Sequence, residues 1–565
     1  MMSAFDDVRA ASVPPPAGGA RGLLRRVCTK NPFYVISAAL FLGGLRVSFG
    51  DPSQAEQTWG VMSGLAGYTL LLAAAVWLLV RFGNVWDDVR TVLLLVVLMF
   101  LATSVTFDEV LILSPQRGHV CYLGGLLFAV AVSEGLLRGT RLRLPACFRV
   151  PYYLILSLFF LYPLALRRLA DEPHGEAVLW GLFGFATAAG LVFLTLLPAA
   201  RRGADAVRDN GSPWDWPLYP WVLFGLLACA VPARAFLLCW SMHLLGAYGG
   251  LDRLVIGPYF LVPFGLALTV LLLEIGLASG RRGVVWAALA APAGLVVLAG
   301  VGHRAEPLYQ DFLSLFATRL GGSPLFLTRL ATVGFYVYAA LRRVPLAVEA
   351  LTAALASLAF VGPETVRLTD HAVPQPLPLL AAAVLQLGLG LRRRNAARCL
   401  LGSALTAVAA LALPDDVPYR GPIAFHLVLL AALAVGAAFD DLLARVLRGS
   451  ALVGAVLVCL AVLFTRLNLS AVVPPWESYP LLVTIVLAVY GQALRHRPAL
   501  AAAAVVLGGW LAESGWRCYL SLREIIAGLD YIAVSLALFV LAVVISLGKS
   551  GALSRRRQKA PPVTG

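Results

Sequence analysis

Lysine is almost missing from this chain: Lys30, Lys549 and Lys559 are the only three in 565 residues. Charge of any kind is sparse, at 13%, where a soluble domain carries about 25%. Hydrophobic residues make up 60% of the chain and the mean hydropathy is +0.83. No water-soluble fold of this length can hide so much apolar surface, but a bilayer can, because lipid replaces water as the solvent for the outside.

Other absences narrow the chemistry. The eight cysteines, Cys28, Cys121, Cys147, Cys229, Cys239, Cys399, Cys459 and Cys518, form no CxxC, and most sit inside apolar runs as small hydrophobes. There is no GxxxxGK[ST] loop to cradle nucleotide phosphates, no HExxH, no GxSxG elbow and no Cys/His metal spacing. No cofactor is evident. The first thirty residues are polar and basic, and no small-residue cleavage site follows the first apolar run, so that run reads as a retained signal-anchor.

What fills the chain is a series of apolar runs, each long enough to cross about 30 Å of hydrocarbon. They fall at 32–49, 61–80, 90–106, 120–137, 150–166, 177–198, 218–241, 256–279 and 284–302, then at 324–341, 344–361, 376–391, 397–413, 422–438, 450–465, 479–494, 498–513 and 530–548. The expected fold is all-α: a polytopic integral membrane protein of about eighteen short-looped spans, with both termini in the cytoplasm.

Charge supports that count. Alternate turns hold Arg138-Arg141-Arg143, Arg201-Arg202, Arg281-Arg282, Arg342-Arg343, Arg392-Arg393-Arg394, Arg445-Arg448 and Arg495-Arg497, followed by the basic tail. Roughly thirty of the 45 Lys and Arg then lie inside, as the positive-inside rule asks. This uses up the net charge of +15 as orientation and contact with anionic lipid headgroups. No stretch interleaves basic residues with exposed aromatics, so nucleic acid is not an expected partner. The intervening turns are rich in acids and histidine.

Five segments follow: a basic cytoplasmic N-terminus (1–30), a first bundle of about nine spans (31–302), an amphipathic helix at the outer interface (303–323), a second bundle of hairpins (324–548) and a basic cytoplasmic tail (549–565). In the amphipathic segment, Leu308, Phe312, Leu315, Phe316 and Leu320 share one face, away from Asp311, Ser314 and Arg319. A second such helix is expected at 519–529. Leu-Arg steps near 341, 391, 447 and 494 recur at roughly 50 residues, the length of a helical hairpin pair.

Three places carry candidate chemistry. Asp108 and Glu109 close the third run, with Arg117 and His119 in the following turn. One carboxylate could serve as base or cation ligand while the other anchors the loop. Polytopic glycosyltransferases that use lipid-linked sugars also place acids at the outer ends of spans. Their acid follows the first span in a long loop, whereas this pair follows the third in a short one. Asp171, Glu172, His174 and Glu176 fall within six residues and form a candidate metal loop. Arg234 lies well inside the seventh run beside Pro232. A charge there costs at least about 2.5–3.5 kcal/mol, so it must face a cavity or a counter-charge; the first option would bind an anionic substrate or lipid phosphate.

The sequence leaves three classes: a transporter or flippase-like protein moving a small or lipid-linked solute, a membrane transferase acting on a lipid-linked substrate at the outer face, and a non-catalytic scaffold or sensor. The expected location is the cell membrane.

Overall fold

The computed structural model describes residues 32–49, 55–83, 85–170, 176–208, 211–214, 216, 218–244, 256–303, 307–370, 374–413, 420–465, 478–526 and 528–549. Among these residues the regular structure is helical throughout. Each of the eighteen apolar runs falls on a helix, and twelve helices are long and apolar enough to cross a bilayer. The chain is a multi-pass α-helical membrane protein. Of the other six helices, five, such as Ala347–Leu358, count at most 17 described residues; Ala347–Leu358 itself, with 12 residues at about 1.5 Å each, falls short of the roughly 30 Å of hydrocarbon. A sixth, Pro376–Arg393, ends on two arginines.

The chain packs as two compact units, Met1–Pro374 and Gln375–Gly565. In the first, α1 (Phe33–Phe49), α2 (Ala55–Leu78), α3 (Trp86–Leu113), α4 (Pro115–Gly139), α5 (Ala146–Leu169) and α6 (Glu176–Leu194) follow one another as antiparallel neighbours. A short α7 (Leu197–Arg202) leads into α8 (Leu218–Leu244), which packs against α3, α5 and α6. Then come α9 (Val262–Ser279), α10 (Arg282–Gly300), α11 (Pro307–Leu320), α12 (Pro324–Leu341) and α13 (Ala347–Leu358). Helix α12 packs on α9 and α10, so α12 and α13 belong by contact to the first unit.

The first unit's core is aromatic. Phe100, Tyr122, Phe148, Phe159, Phe160, Phe185 and Phe224 are all buried, and many rings meet edge-on, the arrangement that their quadrupoles favour. Helix α11 is amphipathic, but its buried face is Tyr309, Phe312, Leu313 and Phe316, while Leu320 is exposed. Phe312 and Phe316 close on Trp180 of α6, and an ion pair of 2.5 Å joins Arg319 to Glu176.

The second unit contains α14 (Pro376–Arg393), α15 (Ala396–Leu411), α16 (Arg420–Ala438), α17 (Leu442–Thr465), α18 (Tyr479–Ala493), α19 (Arg497–Ile525) and α20 (Leu529–Lys549). The amphipathic segment expected at 519–529 is instead, as far as Ile525, the last two turns of α19. Successive helices pair through small residues. A Cβ on Gly402 would sit 2.9 Å from the Ala383 carbonyl, and one on Gly390 2.8 Å from the Cys399 nitrogen. Close backbone approach of this kind drives association in lipid, where burial of apolar surface gives little.

One turn recurs in both units. Arg281 N–H donates to the Gly276 carbonyl at 3.2 Å, Val344 to Ala339 at 3.1 Å, Asn395 to Gly390 at 2.9 Å and His496 to Gly491 at 2.8 Å. Each bond spans five residues and closes a helix around a left-handed residue, the Schellman geometry. That residue is Gly280 in the first case, and Arg343, Arg394 and Arg495 in the others.

Candidate functional site

Asp108 and Glu109 lie inside α3, which runs on to Leu113. Adjacent helical residues diverge by about 100°, so the two carboxylates part company: Asp108 is buried and Glu109 exposed. Asp108 meets Arg234 of α8, which is 1% exposed. The guanidinium is bidentate: Nη1 donates to Oδ2 at 2.5 Å and Nη2 to Oδ1 at 2.9 Å. Tyr122 of α4 donates its hydroxyl to Oδ1, and Ser241 donates to Oδ2 at 3.2 Å. Arg234 Nη2 also lies 3.2 Å from the Tyr122 hydroxyl. Phe107 and Phe160 wall the network off, with Phe107 5.4 Å and Phe160 6.4 Å from Tyr122, centroid to centroid.

Asp108 is thus neutralised, hydrogen-bonded and dry, and the same contacts satisfy the counter-charge that Arg234 requires. Two candidates drawn from separate parts of the sequence are partners 126 residues apart. His119 does not join them; its Nδ1 lies 2.6 Å from the Pro115 carbonyl one turn back. Of the candidate metal loop, Asp171, Glu172 and His174 lie outside the described residues, and Glu176 pairs with Arg319. No cluster of three metal-ligating side chains occurs among the described residues.

Two further acids follow the same pattern. Glu274 of α9 takes Arg342 in a bidentate pair at 2.9 Å on both oxygens, with Arg201 at 3.4 Å and the Tyr338 hydroxyl alongside. Glu134 of α4 takes Arg149 and Tyr153 from α5.

The open space lies elsewhere. At the α4–α5 turn, Arg138, Arg141, Arg143 and Arg208 surround a groove of about 1190 Å³, with Trp86, Trp214 and Trp216 in its wall. No acid occurs among its described lining residues; Asp209 and Asp215 lie outside the described set. Arg138 keeps a loose contact of 3.9 Å with Glu134, and Arg208 one of 3.5 Å with Asp205. Gly211 seats the loop: a Cβ there would meet the Arg141 carbonyl at 2.4 Å, and its φ is +76°. Beside the groove, α3, α4, α5 and α8 line an apolar cavity of about 120 Å³ walled by Leu93, Val97, Phe100, Leu136, Leu223 and others, with Arg90 as the one charged residue among its described walls.

Sequence reasoning read Arg138, Arg141 and Arg143 as an orientation signal and passed over Trp214 and Trp216. The usable signal was the run Trp214-Asp215-Trp216-Pro217 in a short interspan segment, since indole rings gather at membrane interfaces. No protein-family model matches the chain, and neither the curated proteins nor the solved structures include a match.

Proposed function

We infer that the protein handles an anionic small or lipid-linked solute as a transporter or flippase-like membrane protein, and that the arginine–tryptophan groove is its recognition element. The observation that carries this reading is four arginines around one open groove whose described walls contain no carboxylate. Guanidinium forks match phosphate and carboxylate oxygens in pairs. Anionic headgroups of the surrounding bilayer are the nearest ligands of that kind. In this reading all eighteen apolar helices cross the cell membrane, both termini are cytoplasmic, and the groove opens on the cytoplasmic side.

The outer-face transferase gains less from the geometry. Asp108 is held by Arg234, Glu109 faces outward, His119 bonds to its own helix, and none of the three lines the groove or the apolar cavity.

The test is movement of a fluorescent phosphatidylglycerol between leaflets of proteoliposomes, read by dithionite bleaching. The expected result is protein-dependent bleaching beyond half of the label, slowed when Arg138, Arg141 and Arg143 are changed to glutamine. Bleaching equal to that of empty vesicles would end the flippase reading. Cysteines introduced near 171 and 393 should label from opposite sides; labelling from one side would break the topology.

A further inference from the structure

We propose that the groove and the apolar cavity form one site for a single-chain lipid phosphate drawn from the bilayer, its headgroup among the arginines and its chain between the helices. This rests on the anion reading above and adds the nature of the tail. The two spaces are contiguous: Leu137, Leu142 and Trp214 line both. Trp86 stands in the groove wall, and Arg90, one turn deeper on α3, stands in the cavity wall. From Arg90 to Phe100 the lining follows α3 for ten residues, about 15 Å at the helical rise. That is half of the roughly 30 Å hydrocarbon thickness, the depth of one leaflet.

The cavity is narrow. About 120 Å³ spread over that depth admits one chain and not two. Its polar pair is already satisfied: the Ser133 and Tyr152 hydroxyls lie 2.9 Å apart and bond to each other, so the deep wall presents carbon to an occupant. At the mouth the chemistry reverses. Arg90 makes no hydrogen bond or ion pair with a described residue, and Arg141 and Arg143 extend the same charge outward into the groove. An apolar chamber rimmed by arginine and indole complements a molecule that is anionic at one end and hydrocarbon at the other. A free phosphate would leave the chamber empty, and a neutral lipid would leave Arg90 without a counter-charge.

The experiment uses the full chain in phosphatidylcholine nanodiscs and hexadecyl phosphate bearing a diazirine at the chain end. After photolysis, label is expected on the α3 segment 93–100 and the α8 segment 220–223. Hexadecyl phosphate should compete about tenfold better than hexadecanol, butyl phosphate or inorganic phosphate. Leu94→Trp and Leu223→Trp, which fill the cavity from two helices, should each cut that labelling about fivefold. Equal competition by hexadecanol overturns the anion reading; equal competition by butyl phosphate, or undiminished labelling in both filled variants, overturns the tail assignment. If Arg141→Gln/Arg143→Gln then still abolishes labelling, the anion reading stands without it; if that variant labels like the unaltered protein, both fall. Competition is measured on the unaltered chain, so its outcome does not depend on how the variants fold.

Discussion

The two units solve the same packing problem with different chemistry. The first buries aromatic rings and two carboxylates, Asp108 and Glu274, and half-buries a third, Glu134, each held by arginine and tyrosine. The second buries Ala432, Ala451, Ala455, Ala499 and Ala503 with a few leucines, and its buried polar side chains among the described residues are Gln386, Ser403 and Thr484. Lipid tails are as apolar as leucine, so neither unit gains much from hiding hydrocarbon. The first gains register from charge pairs that fit only one way. The second gains contact area by bringing backbones together at glycine and alanine. The polar solution also leaves room for a groove and a cavity; the small-residue solution closes its helices onto one another.

The sharpest way to break this contrast is to remove one charge. Arg234→Leu or Asp108→Leu should each cost about 3–5 kcal/mol, because the partner is left buried and unpaired, while the two changes together should recover most of the loss. Thermal unfolding in detergent reads both. Gln386→Leu in the second unit should cost no more than about 1.5 kcal/mol on the same scale. Equal losses at Arg234 and Gln386 would mean that the polar core of the first unit is incidental.

The next effect should be shared by both units. A Cβ on Gly118 would meet the Leu111 Cα at 2.6 Å, and one on Gly402 would meet Leu387 Cγ at 2.7 Å. Alanine at either position should destabilise by about 1–3 kcal/mol. Gly508→Ala, where nothing lies within 4 Å, is the control and should change little. A tolerant Gly402 would remove close approach as the second unit's organising device.

The smallest effect is a pH dependence at His303 of the first unit. His303 follows α10; its ring donates from Nε2 to the Ala299 carbonyl at 3.0 Å and accepts the Tyr309 hydroxyl at Nδ1, 3.2 Å away. Burial, with Arg367 nearby, holds its imidazole below the usual value, partly offset by the Ala299 carbonyl and Asp370. As pH falls below about 6.5 the unfolded chain takes up a proton that the folded ring refuses, so acid should lower stability until the folded group titrates as well. His303→Gln should flatten the unfolding midpoint across that window. An unchanged slope would place the pH sensitivity elsewhere.

Much of the fold was legible because hydropathy and charge both report helix boundaries, and the described helices fall on the expected runs. The site was legible only as separate residues. Asp108 and Arg234 each stood out as a charge in an apolar run, but nothing local joins two residues on helices this far apart in the chain. The requirement that an intramembrane charge find a counter-charge was the available clue. The tyrosine and arginine partners of Glu134 and Glu274 come from other helices, which periodicity does not reveal. The groove was hidden for a different reason: its arginines already had an explanation in membrane orientation, and that explanation concealed their convergence.

The recurrent turn has a consequence for how such a chain is made. A left-handed residue costs a side chain roughly 1–2 kcal/mol that glycine avoids, and Gly280 shows that glycine serves in this turn. Arg343, Arg394 and Arg495 occupy the same position at that penalty. Changing Arg394 to glycine should therefore raise the unfolding midpoint of the mature protein. The loss would fall earlier, during insertion, when a hairpin must choose which way to thread before any tertiary contact exists to correct it. Positive charge at the apex biases that choice. In the topology proposed above, these turns would trade equilibrium stability for fidelity of biogenesis, and a variant selected for heat resistance alone would be expected to lose them.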